Sequence, residues 1–217
     1  MYQFLLVVHI AGGVLSLSAP LGALAAAKGT HWHVLAGRVF VLGMLVIFVT
    51  TLPMTMLKPN AFLFGVAFVS FYLALTGWSR ARHRAAAPVL TDWLSAWFMV
   101  LGALIISLWA FPLARAGDSK GGGLLAFAAV GATLAVIDLS AFRAHRYQGQ
   151  VRIVAHLSRM LAGYGAALAA FTVTALKVRT SPAFLAFLLP ALIIAPVSWY
   201  WRARIRRQTS TDSPAGV

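Results

Sequence analysis

The chain has 217 residues, of which 61% are hydrophobic and only 10% are charged, and its mean hydropathy is +0.85. A soluble domain carries roughly 25% charged residues, so this composition excludes a single water-soluble core and predicts a polytopic protein in a lipid bilayer. The net charge of +14 could suggest nucleic acid. The basic residues fall between apolar segments, where membrane topology uses them, so we expect no nucleic-acid partner.

The side-chain inventory restricts the possible chemistry. The chain has no cysteine, which excludes disulfides, thiolate metal sites and iron–sulfur clusters. It also has no glutamate, and its four acidic residues are aspartates. A metal ion would therefore have to be held by His, Met, Asp or backbone oxygen, and mechanisms that need paired glutamates are excluded.

Seven apolar segments follow one another along the chain, each near the roughly 20 residues that a bilayer requires. We predict an all-α bundle of seven transmembrane helices in one domain over residues 1–207, followed by a polar, disordered tail over 208–217. The segments cover residues 2–27, 33–57, 61–78, 92–114, 124–142, 151–176 and 183–201.

The distribution of Lys and Arg predicts the orientation of this bundle. With the N-terminus outside, twelve basic residues fall in the inner segments and five in the outer ones. Basic residues concentrate on the cytoplasmic side of membrane proteins, so the sequence predicts an N-out, C-in topology.

A short polar stretch, residues 28–38, separates the first two segments and contains His31 and His33. His33 lies near the start of the second predicted helix and His156 near the start of the sixth. These helices run in the same direction, so the two histidines should lie at similar depth near the inner face. Met160 and Tyr164 follow His156 at intervals of four residues and should share its helix face.

This convergence predicts a histidine-based site for haem b or a metal ion near the cytoplasmic face, with electron transfer to a redox partner as its function. Two opposed imidazoles would leave the haem iron without an open coordination position. The predicted metal ligands are His33, His156 and His31, and the cations that would neutralise haem propionates are Lys28, Arg38 and Arg159.

Three alternatives remain open. Asp138 and Arg159 lie on sequential helices and could form a buried salt bridge, or could join Tyr164 in the pocket of a small-molecule transporter or receptor. A zinc-dependent hydrolase could use the histidines and Asp138, but it needs three protein ligands plus water. The structural alternative is a packed helix whose His156 bonds a neighbouring carbonyl.

The other histidines have simpler interpretations. His9 lies toward the outer side, where Met54 and Met56 could join it at a copper(I) site, although methionines at a helix end commonly serve packing. His83 and His145 stand in basic loop sequences and are predicted to be solvated.

Motifs spread over most of the chain resemble a bacterial membrane family catalogued as domain of unknown function 2306. The resemblance implies a multi-helix bundle with recurrent histidines in the bacterial inner membrane, and it implies no established activity. The family's usual His-Arg pair reads His33-Val34 here. The matching residues are His9-Ile10-Ala11-Gly12-Gly13, Lys28-Gly29, His33, Gly37-Arg38, Met44, Phe71-Tyr72-Leu73, Thr76-Gly77, His156, Met160, Tyr164 and Pro190.

Overall fold

A computed structural model of the protein describes residues 1–84, 87–175 and 185–211. These residues form seven α-helices, and no strand occurs among them. The predicted all-α class is confirmed. The helices are α1 (Tyr2–Ala25), α2 (His31–Leu57), α3 (Ala61–Arg82), α4 (Leu90–Arg115), α5 (Ser119–Arg143), α6 (Gly149–Ala175) and α7 (Leu185–Thr211).

Six helices in the described part of the chain, α1 to α6, are long and apolar enough to cross a membrane. They support a multi-pass membrane protein, because a soluble bundle has no need for so many uninterrupted apolar helices. Helix α7 is not among these six, so a seventh span stays a prediction.

The helix ends differ from those predicted, because the predicted segments contain only the apolar part of each helix and leave out the polar turns at its ends. Helix α5 includes Gly121-Gly122-Gly123, which the sequence analysis left outside the fifth segment, and its N-terminus is capped by the Asp118 side chain. Helix α7 continues to Thr211, so residues 208–211 are helical and do not begin a disordered tail. The remainder of that tail, 212–217, lies outside the described residues.

Helix α3 occupies the centre of the bundle. It packs against α2, α4, α5 and α6, whereas α1 packs mainly on α2, and α7 packs on α6. Small residues in α6 allow it to approach α3 closely: a Cβ added at Gly163 would lie 3.4 Å from the backbone oxygen of Ser70.

Helices α1 and α2 approach each other through glycine. A Cβ added at Gly12 would lie 2.8 Å from Cγ1 and 3.0 Å from Cβ of Val46, and one at Gly43 would lie 2.8 Å from the Gly12 carbonyl oxygen. Small residues permit such approaches between membrane helices. This contact fixes the position of α1, whose C-terminal end contributes to the site described below.

Gly12→Ala is therefore expected to destabilise the protein by about 1–3 kcal/mol, the usual cost of overpacking a tight contact. The neighbouring Gly13→Ala is the matched control, because nothing lies within 4 Å of a Cβ added there. Thermal unfolding in detergent should show a lower midpoint for Gly12→Ala alone. Equal midpoints for the two variants would contradict the close α1–α2 packing.

Candidate functional site

A cavity of about 930 Å³ opens between the ends of several helices. The backbones of α2 and α6 do not approach closely within the described residues, and the two helices meet through side chains, such as the edge-to-face rings of Phe40 and Tyr164. The volume of the cavity falls in the range of pockets that hold cofactors and other small molecules. It is lined by Pro20, Ala23, Leu24 and residues 25–28 at the end of α1, by His33, Val34, Gly37, Arg38 and Phe40 of α2, by Trp78, Ala81 and Arg82 of α3, by Gln150, Ile153, His156, Leu157, Met160, Leu161 and Tyr164 of α6, and by Trp201, Arg204 and Ile205 of α7.

His33 and His156 face each other across this cavity. Their ring centroids are 6.4 Å apart and their ring planes are inclined at 78°. The turn before α2 uses a left-handed Gly29, with φ of +82°, a conformation that glycine adopts without a steric penalty. This turn places His33 within the first helical turn of α2, at the depth of His156 on α6.

Backbone carbonyl groups hold both rings in place. Nδ1 of His33 lies 3.0 Å from the Ala23 carbonyl oxygen, and Nδ1 of His156 lies 2.7 Å from that of Gly77. A carbonyl oxygen only accepts hydrogen bonds, so each Nδ1 carries the hydrogen and donates it. In a neutral imidazole, this bond leaves the lone pair on Nε2. Metal-ligating histidines are typically oriented in this way, by a hydrogen bond from the second ring nitrogen.

Lys28 lines the cavity, and its ammonium group supports this arrangement. It donates to the carbonyl oxygens of Ala23, Leu24 and Ala26 at 3.1, 2.9 and 3.3 Å. These bonds satisfy carbonyl groups that the end of α1 leaves without helical partners. Burial lowers the pKa of Lys28. Lys28 and His33 thus share the Ala23 oxygen, and Lys28 fixes the position of the group that orients the ring.

Three arginines at the cavity, Arg38, Arg82 and Arg204, have no acidic partner among the described residues. The Arg82 guanidinium lies 4.6 Å from the ring centroid of Trp78, and that of Arg204 lies 5.4 Å from the ring centroid of Trp201. The cavity therefore combines apolar walls, two imidazoles and an excess of positive charge.

The remaining predicted site residues divide into two groups. Met160 and Tyr164 line the cavity with His156, and the Tyr164 hydroxyl donates to the Leu17 carbonyl oxygen at 3.2 Å. His31 does not line the cavity and instead contacts the Trp32 ring. It lies two positions before His33, on another side of the helix, because successive helical residues are rotated by about 100°.

Arg159 also lies away from the cavity. Its Nη2 donates to Oδ1 of Asp138 at 2.9 Å, and both residues are buried. The predicted salt bridge is therefore present, but neither member lines the cavity that holds His33 and His156. The hydroxyls of Tyr72 and Tyr147 also donate to the Asp138 carboxylate. These three donors occupy the Asp138 carboxylate, which supports a structural role for the Asp138–Arg159 pair.

A second ion pair was not predicted. Arg80, one of the twelve inner cations, is buried and donates from Nη2 to Oδ1 of Asp92 at 2.7 Å. Asp92 is the third residue of α4 after its N-cap, Val89, and accepts from the Val89 amide, as the acidic residue of a capping box does. The sequence feature that could have predicted this pair is an arginine just before the end of one helix, followed by an aspartate at the start of the next.

Tyr147 links the two ion pairs. Its ring lies 4.5 Å from the Arg80 guanidinium, and its hydroxyl donates to Asp138. Burial, and then the negative charge of Asp138, raise the pKa of Tyr147. The phenol therefore stays protonated and remains a hydrogen-bond donor. This contact secures the short α5–α6 connection that leads into the histidine helix.

The other histidines take no part in the cavity. His9 lies on α1, with Nδ1 2.9 Å from the Thr50 hydroxyl of α2. His83 bonds the Ser79 hydroxyl and is partly exposed, and His145 is exposed in the α5–α6 loop. No group of three or more His, Cys, Asp or Glu that could hold a metal ion occurs in the part of the chain that the structure describes.

Comparisons of this chain with family models, with curated proteins and with solved structures found no match. The resemblance to domain of unknown function 2306 therefore stays a prediction. The function is proposed from the geometry of the site.

Proposed function

We propose that this chain is a multi-pass protein of the bacterial inner membrane that binds one haem b between His33 and His156 and serves electron transfer. The observation that carries the proposal is the pair of imidazoles, 6.4 Å apart in one cavity, each fixed by an Nδ1–H bond to a carbonyl. Metal–imidazole bonds are about 2 Å long, so two rings with centroids at this separation could share one ion if both Nε2 atoms were directed at it.

The donor set favours haem over a bare metal ion. Two histidines alone provide too few ligands for a zinc site, which commonly needs four or, for catalysis, three protein ligands plus water. Asp138, the third ligand considered for a zinc hydrolase, is engaged by Arg159 and does not line the cavity. A porphyrin supplies four nitrogens itself, so two axial histidines complete its coordination.

The cavity surroundings also fit a tetrapyrrole. Its volume of about 930 Å³ is large, and its walls include Leu157, Leu161 and Phe40. The cations at the cavity suit a ligand that carries carboxylates, since opposite charges attract strongly where water is partly excluded. When bound, the group would supply reversible one-electron chemistry, and two axial histidines would leave no coordination position for a substrate.

Titration of haemin into the detergent-solubilised protein tests the proposal. We expect saturable binding of one haem per chain, with the absorption bands of a low-spin bis-imidazole haem. A purely additive haemin spectrum, with no saturation, would overturn it. The structure also leaves room for a transporter or receptor of small molecules in the same cavity, but the polar contacts would come from the cavity lining and not from Asp138 and Arg159.

The proposed topology is seven spans with the N-terminus outside and the C-terminus inside. Arg80 is buried, but when it is left out of the count, Lys and Arg are still concentrated on the inner side. The cavity then opens toward the cytoplasm, since the α1–α2 connection and the end of α7 both border it.

Reporter fusions should confirm this orientation. A fusion at the C-terminus and one after Arg84 should be active in the cytoplasm, whereas a fusion after Lys58 should be active outside. A cytoplasmic reporter after Lys58, or both chain ends on one side of the membrane, would contradict the seven-span arrangement.

A further inference from the structure

We propose that Arg82 and Arg204 bind the two carboxylates of the haem and so determine its orientation in the cavity. This inference rests on the proposed function and assigns a role to two residues that the sequence analysis counted only as topological cations. Both arginines line the cavity, one from the last turn of α3 and one from α7. They reach the cavity from different helices, as recognition of two separate anionic groups requires.

The two arginines are exposed, and their guanidinium groups keep their hydrogen-bond donors available. Each lies against a tryptophan ring that also lines the cavity, Trp78 for Arg82 and Trp201 for Arg204. A ring face fixes the plane of a guanidinium without using its N–H groups. Neither arginine forms a hydrogen bond or ion pair with another described residue.

No carboxylate in the described chain could neutralise them. Asp92 pairs with Arg80, Asp138 pairs with Arg159, and Asp118 caps α5 at a helix start. The fourth aspartate, Asp212, lies outside the described residues. Cations at a largely apolar cavity gain most from an anionic ligand, because charge-assisted bonds strengthen as water is excluded.

Of the three cations predicted for this role, Arg38 also lines the cavity, whereas Arg159 and Lys28 are less suitable. Arg159 is buried against Asp138 and does not line the cavity. The donors of Lys28 are used by the carbonyl groups at the end of α1. Apolar residues further along the helices, Phe40 and Leu161, line the rest of the cavity. A haem whose carboxylates were bound by Arg82 and Arg204 would present its macrocycle to these apolar residues.

Comparing haem with its dimethyl ester, in which both carboxylates are blocked, tests this inference. The wild-type protein should bind haem more tightly than the ester by about tenfold for each charge-assisted contact. Arg82→Gln and Arg204→Gln should each weaken haem binding by about this factor and leave ester binding unchanged. Arg84→Gln and Arg202→Gln are matched controls, because neither residue lines the cavity.

The outcomes separate this inference from the proposed function. Equal affinity of the wild-type protein for haem and its ester would overturn the role of the arginines while leaving the bis-histidine site intact, and that comparison needs no variant. Failure of both compounds to bind would overturn the proposed function and this inference with it. Equal losses in the Arg82→Gln and Arg84→Gln variants would show a general charge effect and would also overturn it.

Discussion

Replacing either His33 or His156 with alanine is expected to abolish the low-spin haem spectrum and to weaken haem binding by at least about a hundredfold. Loss of a residue that only supports a metal ligand weakens metal binding by up to about a hundredfold, and loss of a ligand itself should cost at least as much. Both residues line the same cavity with Nδ1 bonded to a backbone carbonyl, and no other histidine lines it. Haemin titration of each variant measures the effect.

His31→Ala is the matched control. His31 lies on the same helix but contacts Trp32 and does not line the cavity. The His31→Ala variant should therefore keep the haem spectrum and the haem affinity of the unmodified protein. Size-exclusion profiles and helical content should match among the three variants, so that a loss in His33→Ala reports on ligation and not on folding. Loss in His31→Ala equal to that in His33→Ala would contradict the proposed ligands.

The second large effect concerns stability. Asp138→Asn and Arg159→Gln should each destabilise the protein by about 3–5 kcal/mol, because each change leaves a buried charge without its partner. Both residues are buried, and they are joined by a bond of 2.9 Å. The double variant should cost less than the sum of the two single changes, since it leaves neither charge unpaired.

Denaturant unfolding in detergent measures this double-mutant cycle. Asp118→Asn is the control for loss of an aspartate, because Asp118 caps α5 from a loop and asparagine caps a helix equally well. It should change the unfolding free energy by no more than about 0.5 kcal/mol. Strict additivity of the Asp138 and Arg159 changes would mean that the pair does not interact.

Much of the bundle was predictable because apolar run length and loop charge are local properties of the sequence. The juxtaposition of His33 and His156 was also within reach, because parallel helices place residues near their starts at similar depth. For Arg159, the predicted salt bridge with Asp138 is present, but the predicted place at the haem site is wrong. Arg159 follows His156 by three positions and lies about 60° around the helix from it, on the side opposite to Met160 and Tyr164, which turns it toward α5 and Asp138.

The contacts that required the structure join residues far apart in sequence. Tyr72 and Asp138 are separated by 66 positions, and nothing local to Tyr72 indicates that its hydroxyl donates to a carboxylate. A bond from His156 to a neighbouring carbonyl was among the predicted alternatives, but its acceptor, Gly77, depends on how α6 packs on α3. Arg82 and Arg204 looked like ordinary cytoplasmic cations until the helices placed them at one cavity.

The central claim is that both histidines bind one haem iron, and the spectrum of the reduced, haem-loaded protein under carbon monoxide tests it most directly. If His33 and His156 occupy both axial positions, carbon monoxide should leave the absorption bands unchanged on mixing. In His33→Ala, any haem retained through His156 should bind carbon monoxide and show shifted bands. Immediate and complete carbon monoxide binding by the unmodified protein would mean an open axial position and would contradict the account.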